Sequence, residues 1–261
     1  MNNSKTLVSV ITPTFRRYKD LKKNLNYFKK IYHQYKNFEW IVVSENHDFK
    51  THDLILKKKL FFIKFFKGNF GHVNKAFNFG LKKAKGKYVI FHGDDDFFYY
   101  DTFKIFSQES KSNDDWYIGY GSYVNEKNIA IRKITTFIKK IILNFYSIHI
   151  LSLINFIMAP SVFIKRTFLM KTKGLKVDVM YASDYDLWLK LSKLSHPVII
   201  KHFLSKASFH KNTMTGSFSF SRYLEQYCFV QKNISSLFLI PLALIVTLYL
   251  AFYNFFKKNF K

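Results

Sequence analysis

Three adjacent carboxylates, Asp94, Asp95 and Asp96, end the apolar run Tyr88-Val89-Ile90-Phe91 and are followed by Phe97-Phe98. Like charges about 4 Å apart repel by roughly 4 kcal/mol at an effective dielectric near 20, so this triplet calls for a cation. Oxygen ligands at the end of a strand suit Mg2+ or Mn2+ held together with substrate phosphates. A solvated acidic turn is the plainer alternative. A second acidic group, Asp184 with Asp186, stands far downstream in Ser183-Asp184-Tyr185-Asp186-Leu187-Trp188. These two acids could simply favour a helix N-terminus. Further polar residues, Thr12 and Ser44-Glu45-Asn46-His47-Asp48, leave the ends of two other apolar runs.

Those runs are the elements that must place the acids. Leu7–Thr12 reads as a strand stopped by Pro13, and a helix follows over about 17–35, with Leu21, Leu25, Phe28 and Tyr32 at helical spacing. Trp40–Val43 and Leu60–Phe66 read as two more strands, continuous in hydrophobicity as in a parallel sheet. Gly68-Asn69-Phe70-Gly71 is a turn signal before a helix that carries Val73, Ala76, Phe77, Gly80, Leu81 and Ala84, with Gly86 in the usual C′ position. Then comes the strand that ends at Asp94. Strands alternating with helices imply right-handed βαβ units and a mostly parallel sheet. In such sheets ligands bind beyond the carboxyl ends of the strands, where Thr12, Ser44, Glu45 and the aspartate triplet fall.

The second half is less regular. Trp116–Tyr120 and Pro160–Ile164 read as strands, and a helix begins near Ala182. From Ile134 to about Ile148, the residues Ile134, Phe137, Ile138, Ile141, Phe145 and Ile148 share one face, with Lys133, Lys140, Asn144 and Ser147 opposite. That helix either packs on the sheet or lies in a membrane interface.

The 261 residues can bury a full core, and at 48% hydrophobic and 20% aromatic the chain is no disordered polycation. A formal charge of +25 asks for an anionic partner. The basic residues are concentrated: no acid lies between Glu126 and Asp178, and after Asp186 the only acid is Glu225. The single cysteine, Cys228, excludes an internal disulfide and a cysteine-rich metal site and fits a reducing compartment. The N-terminus shows no signal-peptide core.

Taken in order, these pieces resemble the family 2 inverting glycosyltransferases, which have the GT-A fold. The likeness runs from Val8 to roughly Thr215. It rests on Val10-Ile11-Thr12-Pro13-Thr14-Phe15, Trp40-Ile41-Val42-Val43-Ser44-Glu45, Asn69-x-Gly71, Ala76-x-Asn78-x-Gly80, Ala84-x-Gly86-x-Tyr88, the aspartate triplet, Pro160-Ser161-Val162 and Ser183-Asp184-Tyr185-Asp186-Leu187-Trp188-Leu189. The resemblance implies a Rossmann-like, mostly parallel α/β sheet flanked by helices over residues 1–215. Its nucleotide-sugar half would be 1–100 and its acceptor half 101–215. A C-terminal hydrophobic helical segment, 216–261, would follow. It further implies that Thr12 and Pro13 border the nucleotide base, that Glu45 contacts base or ribose, and that Asn78 lies on the helix facing the nucleotide. Asp94 and Asp96 would form the DxD motif, ligating Mn2+ or Mg2+ and touching the donor ribose, with Asp95 an alternative ligand. His210 would approach the metal or pyrophosphate, and Asp184 would be the catalytic base.

The chain departs from the family pattern in places. Ser44-Glu45-Asn46-His47 replaces the frequent Asp-Asp-Gly-Ser. Phe77 and Ser208 stand where arginines are common, so Lys75, Arg16 or Arg17 would have to supply the positive charge. Ser183 replaces the first acid of the usual Glu-Asp pair. The implied partners are a nucleotide-sugar donor, most often a UDP-sugar in this family, and a glycan or lipid-linked acceptor in cell-surface polysaccharide synthesis.

Residues 234–256 carry no charge, long enough for the roughly 20 residues of a spanning helix. Pro241 interrupts the run, however, and Lys257, Lys258 and Lys261 would end up outside, against the positive-inside tendency. An in-plane or re-entrant attachment at the cytoplasmic face of an anionic membrane is therefore expected; a core or dimer helix is the alternative. A competing function is a non-enzymatic basic protein binding nucleic acid or anionic membrane. Clustered acids at strand ends would repel a phosphate backbone, so no nucleic-acid partner is expected. A sugar nucleotidyltransferase is less suited, because Thr12-Pro13-Thr14-Phe15 is not a glycine-rich phosphate loop.

Overall fold

The computed structural model describes residues 7–210, 213, 223–228, 241, 244, 245 and 247–249. The elements run in order β1 (Val8–Thr14), α1 (Tyr18–Gln34), β2 (Phe38–Glu45), α2 (Phe49–Lys58), β3 (Ile63–Gly68), α3 (Val73–Lys83), β4 (Tyr88–Phe91), β5 (Phe97–Phe98) and α4 (Thr102–Glu109). The second half adds β6 (Trp116–Val124), β7 (Ala130–Ile131), α5 (Lys133–Asn144), α6 (Ile148–Leu153), β8 (Val162–Lys165), α7 (Arg166–Lys171), α8 (Ser183–Leu194) and β9 (Val198–Ser208).

One sheet joins both halves in the order β3-β2-β1-β4-β8-β6-β9-β5, with β7 beside β6. β3, β2, β1 and β4 are mutually parallel. β8 runs against both β4 and β6, and β9 is parallel to β6. β4, β6 and β9 therefore point the same way, and the carboxyl ends of six strands share one edge of the sheet. That edge receives the acids.

Continuous apolar strands need cover on both faces, and they get it. Val8, Val10, Trp40, Val42 and Ile90 pack beneath α1 with Leu21, Leu25, Phe28 and Ile31. Ile11, Ile41, Val43, Val89 and Phe91 pack on the other side, with Ala76 and Leu81 of α3 and Leu187, Trp188 and Leu191 of α8. Burying such a side chain contributes about 1.5–3 kcal/mol, which is why the strand alternation fixes which residues face each layer.

Three local expectations change. Pro13 does not stop β1: the strand stays in register with β2 through Thr14↔Ser44, while its pairing with β4 ends at Ile11↔Phe91. Proline's missing N–H is tolerated where one neighbour has already left. Gly86 is not the C′ residue of α3. The cap is Ala84, and a Cβ on Gly86 would come within 2.6 Å of the Ser9 backbone nitrogen. Its smallness serves a close approach of chains. Finally, α2 was not anticipated; it starts where Asp48 accepts bonds from the Thr51 N–H and hydroxyl.

The amphipathic segment ends at Asn144 rather than Ile148, and α6 follows. Its apolar face does not pack on the sheet: Ile134, Phe137, Ile138, Ile141 and Phe145 are all exposed, and Leu143 on the opposite side is buried. Most of 216–261, including most of the uncharged run, lies outside the described residues. Among the described residues no helix is long and apolar enough to cross a membrane.

Candidate active site

The β4–β5 turn carries Asp94, Asp95 and Asp96 at the carboxyl edge, and each is held differently. Asp94 is buried; its carboxylate accepts from the Thr14 hydroxyl at 2.8 Å, and its carbonyl accepts from the Asn24 amide at 2.6 Å. Asp96 turns inward and accepts from the backbone N–H groups of Gly93, at 3.2 Å, and Ser208, at 2.9 Å. Asp95 faces outward to Arg17, whose Nη2 lies 2.7 Å away, and to His210, whose Nε2 lies 3.3 Å away. Arg17 Nε also lies 3.4 Å from Asp94. His210 Nδ1 reaches Glu126 at 3.3 Å.

The electrostatics follow from this packing. Burial pushes the Asp94 carboxyl up to about 7, Arg17 pulls the other way, and Asp95 adds repulsion. Asp96 is raised as well, first by burial and then by Asp95. Burial opposes the Arg17 charge, but Asp94 and Asp95 outweigh it and hold the guanidinium more firmly protonated than usual. Arg17 is thus a built-in counter-cation, one of the substitutes foreseen for the absent arginines.

Asp95 and His210, an oxygen and a nitrogen donor 3.3 Å apart, are the residues that could hold a divalent cation in this corner. Among the described residues no three His, Cys, Asp or Glu side chains are grouped to hold a metal. A small hard ion commonly takes one or two protein ligands and completes its shell with substrate phosphates and water. The buried, cation-seeking Asp94 beside this pair is consistent with such an ion. Asp96, expected as a ligand, has both carboxylate oxygens committed to backbone N–H groups.

Asp184 lies in the first turn of α8, and its Oδ1 accepts from the Tyr185 N–H at 2.7 Å. Burial raises its pKa; the Tyr185 N–H and the Lys139 charge act against the rise. Its position comes from α3. Asn74, at the N-terminal end of α3 and hence at the carboxyl edge, donates to the carbonyls of Lys176 and Val179, both at 2.8 Å. The Asn74 carbonyl accepts from the Ser183 hydroxyl at 3.2 Å. One turn on, Asn78 donates to the Leu175 carbonyl at 2.7 Å and accepts from the Leu175 N–H at 2.9 Å. The segment leading to α8 is therefore lashed to α3, and Asp184 is delivered to the same edge as the triplet. Glu225 closes the loop from outside, accepting from the Tyr181 N–H at 2.6 Å and the Ala182 N–H at 2.5 Å.

Other expected ligand contacts are redirected. Thr12 is fully buried, and its hydroxyl accepts from the Trp40 indole at 2.9 Å inside the α1-side core. Pro13 is half-buried beside it. Glu45 clamps the turn after β3, accepting from the N–H groups of Phe70, at 3.1 Å, and Gly71, at 2.9 Å. Asn78 is on the anticipated helix, but its amide is spent on Leu175. What the sequence reading missed is the pair beyond β1 and β2: Phe15, 41% exposed, lies edge-on to His47 at 4.9 Å, and Arg16 stacks on Phe15. The signal available was an aromatic and a histidine each just past a strand end.

Known structures share this fold. S. aureus TarS, in the crystal structure of residues 1–349 with UDP, superposes with a TM-score of 0.63 at 18% identity, covering 87% of this chain and 65% of that one. Its complex with UDP-GlcNAc gives 0.65 at 16% identity, covering 96% and 73%. The mannosyltransferase PcManGT from Pyrobaculum calidifontis, in complex with GDP-Man and Mn2+, gives 0.61 at 15%, covering 86% and 62%. These likenesses bear out the GT-A type of sheet. An uncharacterised glycosyltransferase of Rickettsia typhi is 26% identical over 213 residues, 77% of this chain, which spans 64% of that relative's length. The family model described as Glycosyl transferase family 2 matches residues 9–171, well over half the chain, and the protein belongs to that family.

Proposed function

We propose that the chain transfers a glycosyl group, with inversion, from a nucleotide-sugar donor to an acceptor hydroxyl. The feature that supports this reading is a pair of acidic centres on elements that open at the carboxyl edge of one sheet: the Arg17- and His210-bound triplet, and the separately held, half-buried Asp184 in the first turn of α8.

Asp184, with its raised pKa, is suited to take the acceptor's proton as the acceptor oxygen attacks C1 of the sugar. The new bond forms between that oxygen and C1. The bond from C1 to the phosphate oxygen breaks, and its electron pair leaves with the nucleoside diphosphate. Arg17 offers positive charge for that leaving group. Asp95 and His210 would hold Mn2+ or Mg2+, which when bound supplies Lewis-acid neutralisation of the diphosphate. Phe15 and His47 offer a stacking surface for the base, and Asn74 and Asn78 keep Asp184 in place.

The donor best matching the family's habits is a UDP-sugar; the TarS structures with UDP and UDP-GlcNAc support that choice, and the PcManGT complex keeps a GDP-sugar in view. We place the acceptor among glycans or lipid-linked saccharides, in cell-surface polysaccharide synthesis at the cytoplasmic face of the membrane. A panel of nucleotide sugars screened for metal-dependent hydrolysis identifies the donor. With that donor, Asp184→Asn should bind nearly as tightly as the parent while transfer collapses. Weak donor binding with surviving transfer would overturn the assignment.

A further inference from the structure

We propose that α5 is the element by which the protein docks on an anionic lipid bilayer, its apolar stripe entering the headgroup boundary. Ile134, Phe137, Ile138, Ile141 and Phe145 fall within one arc of the helix, and every one faces solvent. Ile134 is 78% exposed and Phe145 73%, against 3% for Leu143 on the opposite side. In a water-facing helix this polarity is reversed. The inner flank is where the charge went: Lys139 lies over the Tyr123 ring at 5.7 Å, and Lys140 over the Tyr120 ring at 5.3 Å. Contiguous exposed apolar surface of this kind marks a contact site.

Charge selects the occupant. Lys127 and Lys133 are exposed at the near end of the stripe, beside Ile129, itself 57% exposed in the β6–β7 hairpin. The whole stretch between Glu126 and Asp178 is free of acids while carrying ten lysines and arginines. An apolar stripe with a mostly basic rim, the exposed Glu126 of the same hairpin being turned to His210, is the pattern of a helix lying in the plane of an anionic interface. A protein partner with an acidic rim, or a second copy of this equally basic chain, is less well matched; the second copy would bring like charges together.

The docking face also has a chemical consequence. Lys139, on the inner flank of this same helix, is near enough to Asp184 for its charge to act against the burial-driven rise of that carboxyl's pKa, so the helix that carries the stripe also borders the proposed base. An acceptor held in the membrane by a lipid would therefore arrive beside Asp184. This last step rests on the glycosyl-transfer reading; the docking surface does not.

Flotation of the full chain with phosphatidylcholine vesicles, and with vesicles in which part of that lipid is phosphatidylglycerol, tests the proposal. The chain should float with the anionic vesicles, and the double variant Phe137→Glu/Ile141→Glu should lose at least about tenfold in binding. Phe137→Leu/Ile141→Leu should keep it. Both variants should retain UDP-sugar hydrolysis and the parent's thermal unfolding, since these side chains are exposed and apart from the acids. Undiminished flotation of the Glu variant would overturn the proposal by placing attachment elsewhere, for instance in the uncharged run 234–256. Equal binding to neutral vesicles would overturn it, as would a change confined to oligomeric state in sedimentation. Hydrolysis lost in the parent itself would count against the transferase reading alone, because flotation does not depend on it.

Discussion

The two acidic centres at the sheet edge are held in opposite ways. Around the triplet, Thr14, Gly93 and Ser208 donate to the carboxylates, and the guanidinium of Arg17 and the ring of His210 face them. Asp184 has the Tyr185 N–H and, further off, the Lys139 charge. A carboxylate fixed by several donors and a guanidinium is built to stay and to grip charge. A half-buried carboxyl with few partners is built to exchange a proton. The contrast divides the labour of the proposed reaction between phosphate binding and deprotonation.

The largest expected break in that contrast is Asp184→Asn. It should lower transfer by about 10²–10⁴-fold, the usual worth of a positioned base, with donor affinity measured by calorimetry little changed. Asp95→Ala should do the reverse. UDP binding in Mn2+ should weaken about 10–100-fold, as for loss of a metal-site partner, and the difference between Mn2+ and chelator should shrink. If both variants damage the same quantity, the division is wrong.

Arg17→Ala removes the counter-cation of the triplet. Breaking a buried pair costs about 3–5 kcal/mol; Arg17 is 30% exposed, so roughly 2 kcal/mol is expected in urea unfolding after allowing for solvent screening. Asn78→Ala deletes two bonds to the Leu175 backbone and should cost about 1–2 kcal/mol. It should also reduce transfer several-fold while sparing UDP affinity.

The smallest effect is on pH dependence. Asp94 binds its proton more tightly folded than unfolded. Between the ordinary value of 3.8 and about 7 the native state therefore holds the extra proton, and stability falls as pH rises across that window. Asp94→Asn should flatten that slope in unfolding followed from acid to neutral pH. Asp184 is also raised, so the acid limb of transfer should lie above that of an ordinary aspartate, with activity lost as pH falls.

The fold was legible where periodicity is strong: four continuous apolar strands, two helices between them, and acids at the strand ends. It was least legible where a residue's partner lies far along the chain. Asn78 and Glu45 are ordinary polar residues in sequence, and only Leu175 and the 70–71 turn explain where their hydrogen bonds go. Thr12 sits at a strand end, but alternation turns its hydroxyl to Trp40. α2 is short, with an exposed and mixed surface, so its Asp48 cap was the only cue. For α5 the helix was readable, and the direction in which its stripe points was not. An amphipathic pattern gives the stripe but does not say whether protein or lipid covers it.

The Ser9–Gly86 contact reaches further than its size suggests. Ser9 donates to Glu39 at 2.6 Å and accepts from the Gly86 N–H at 2.8 Å, a buried knot at the amino ends of β1, β2 and β4. The same strands present Thr14 and Asp94 at their far ends, 2.8 Å apart. A single methyl group at position 86 would wedge the strands open at one end of this lever and be felt at the other. A change at Gly86 would thus disturb the candidate site while leaving every acid in the sequence intact.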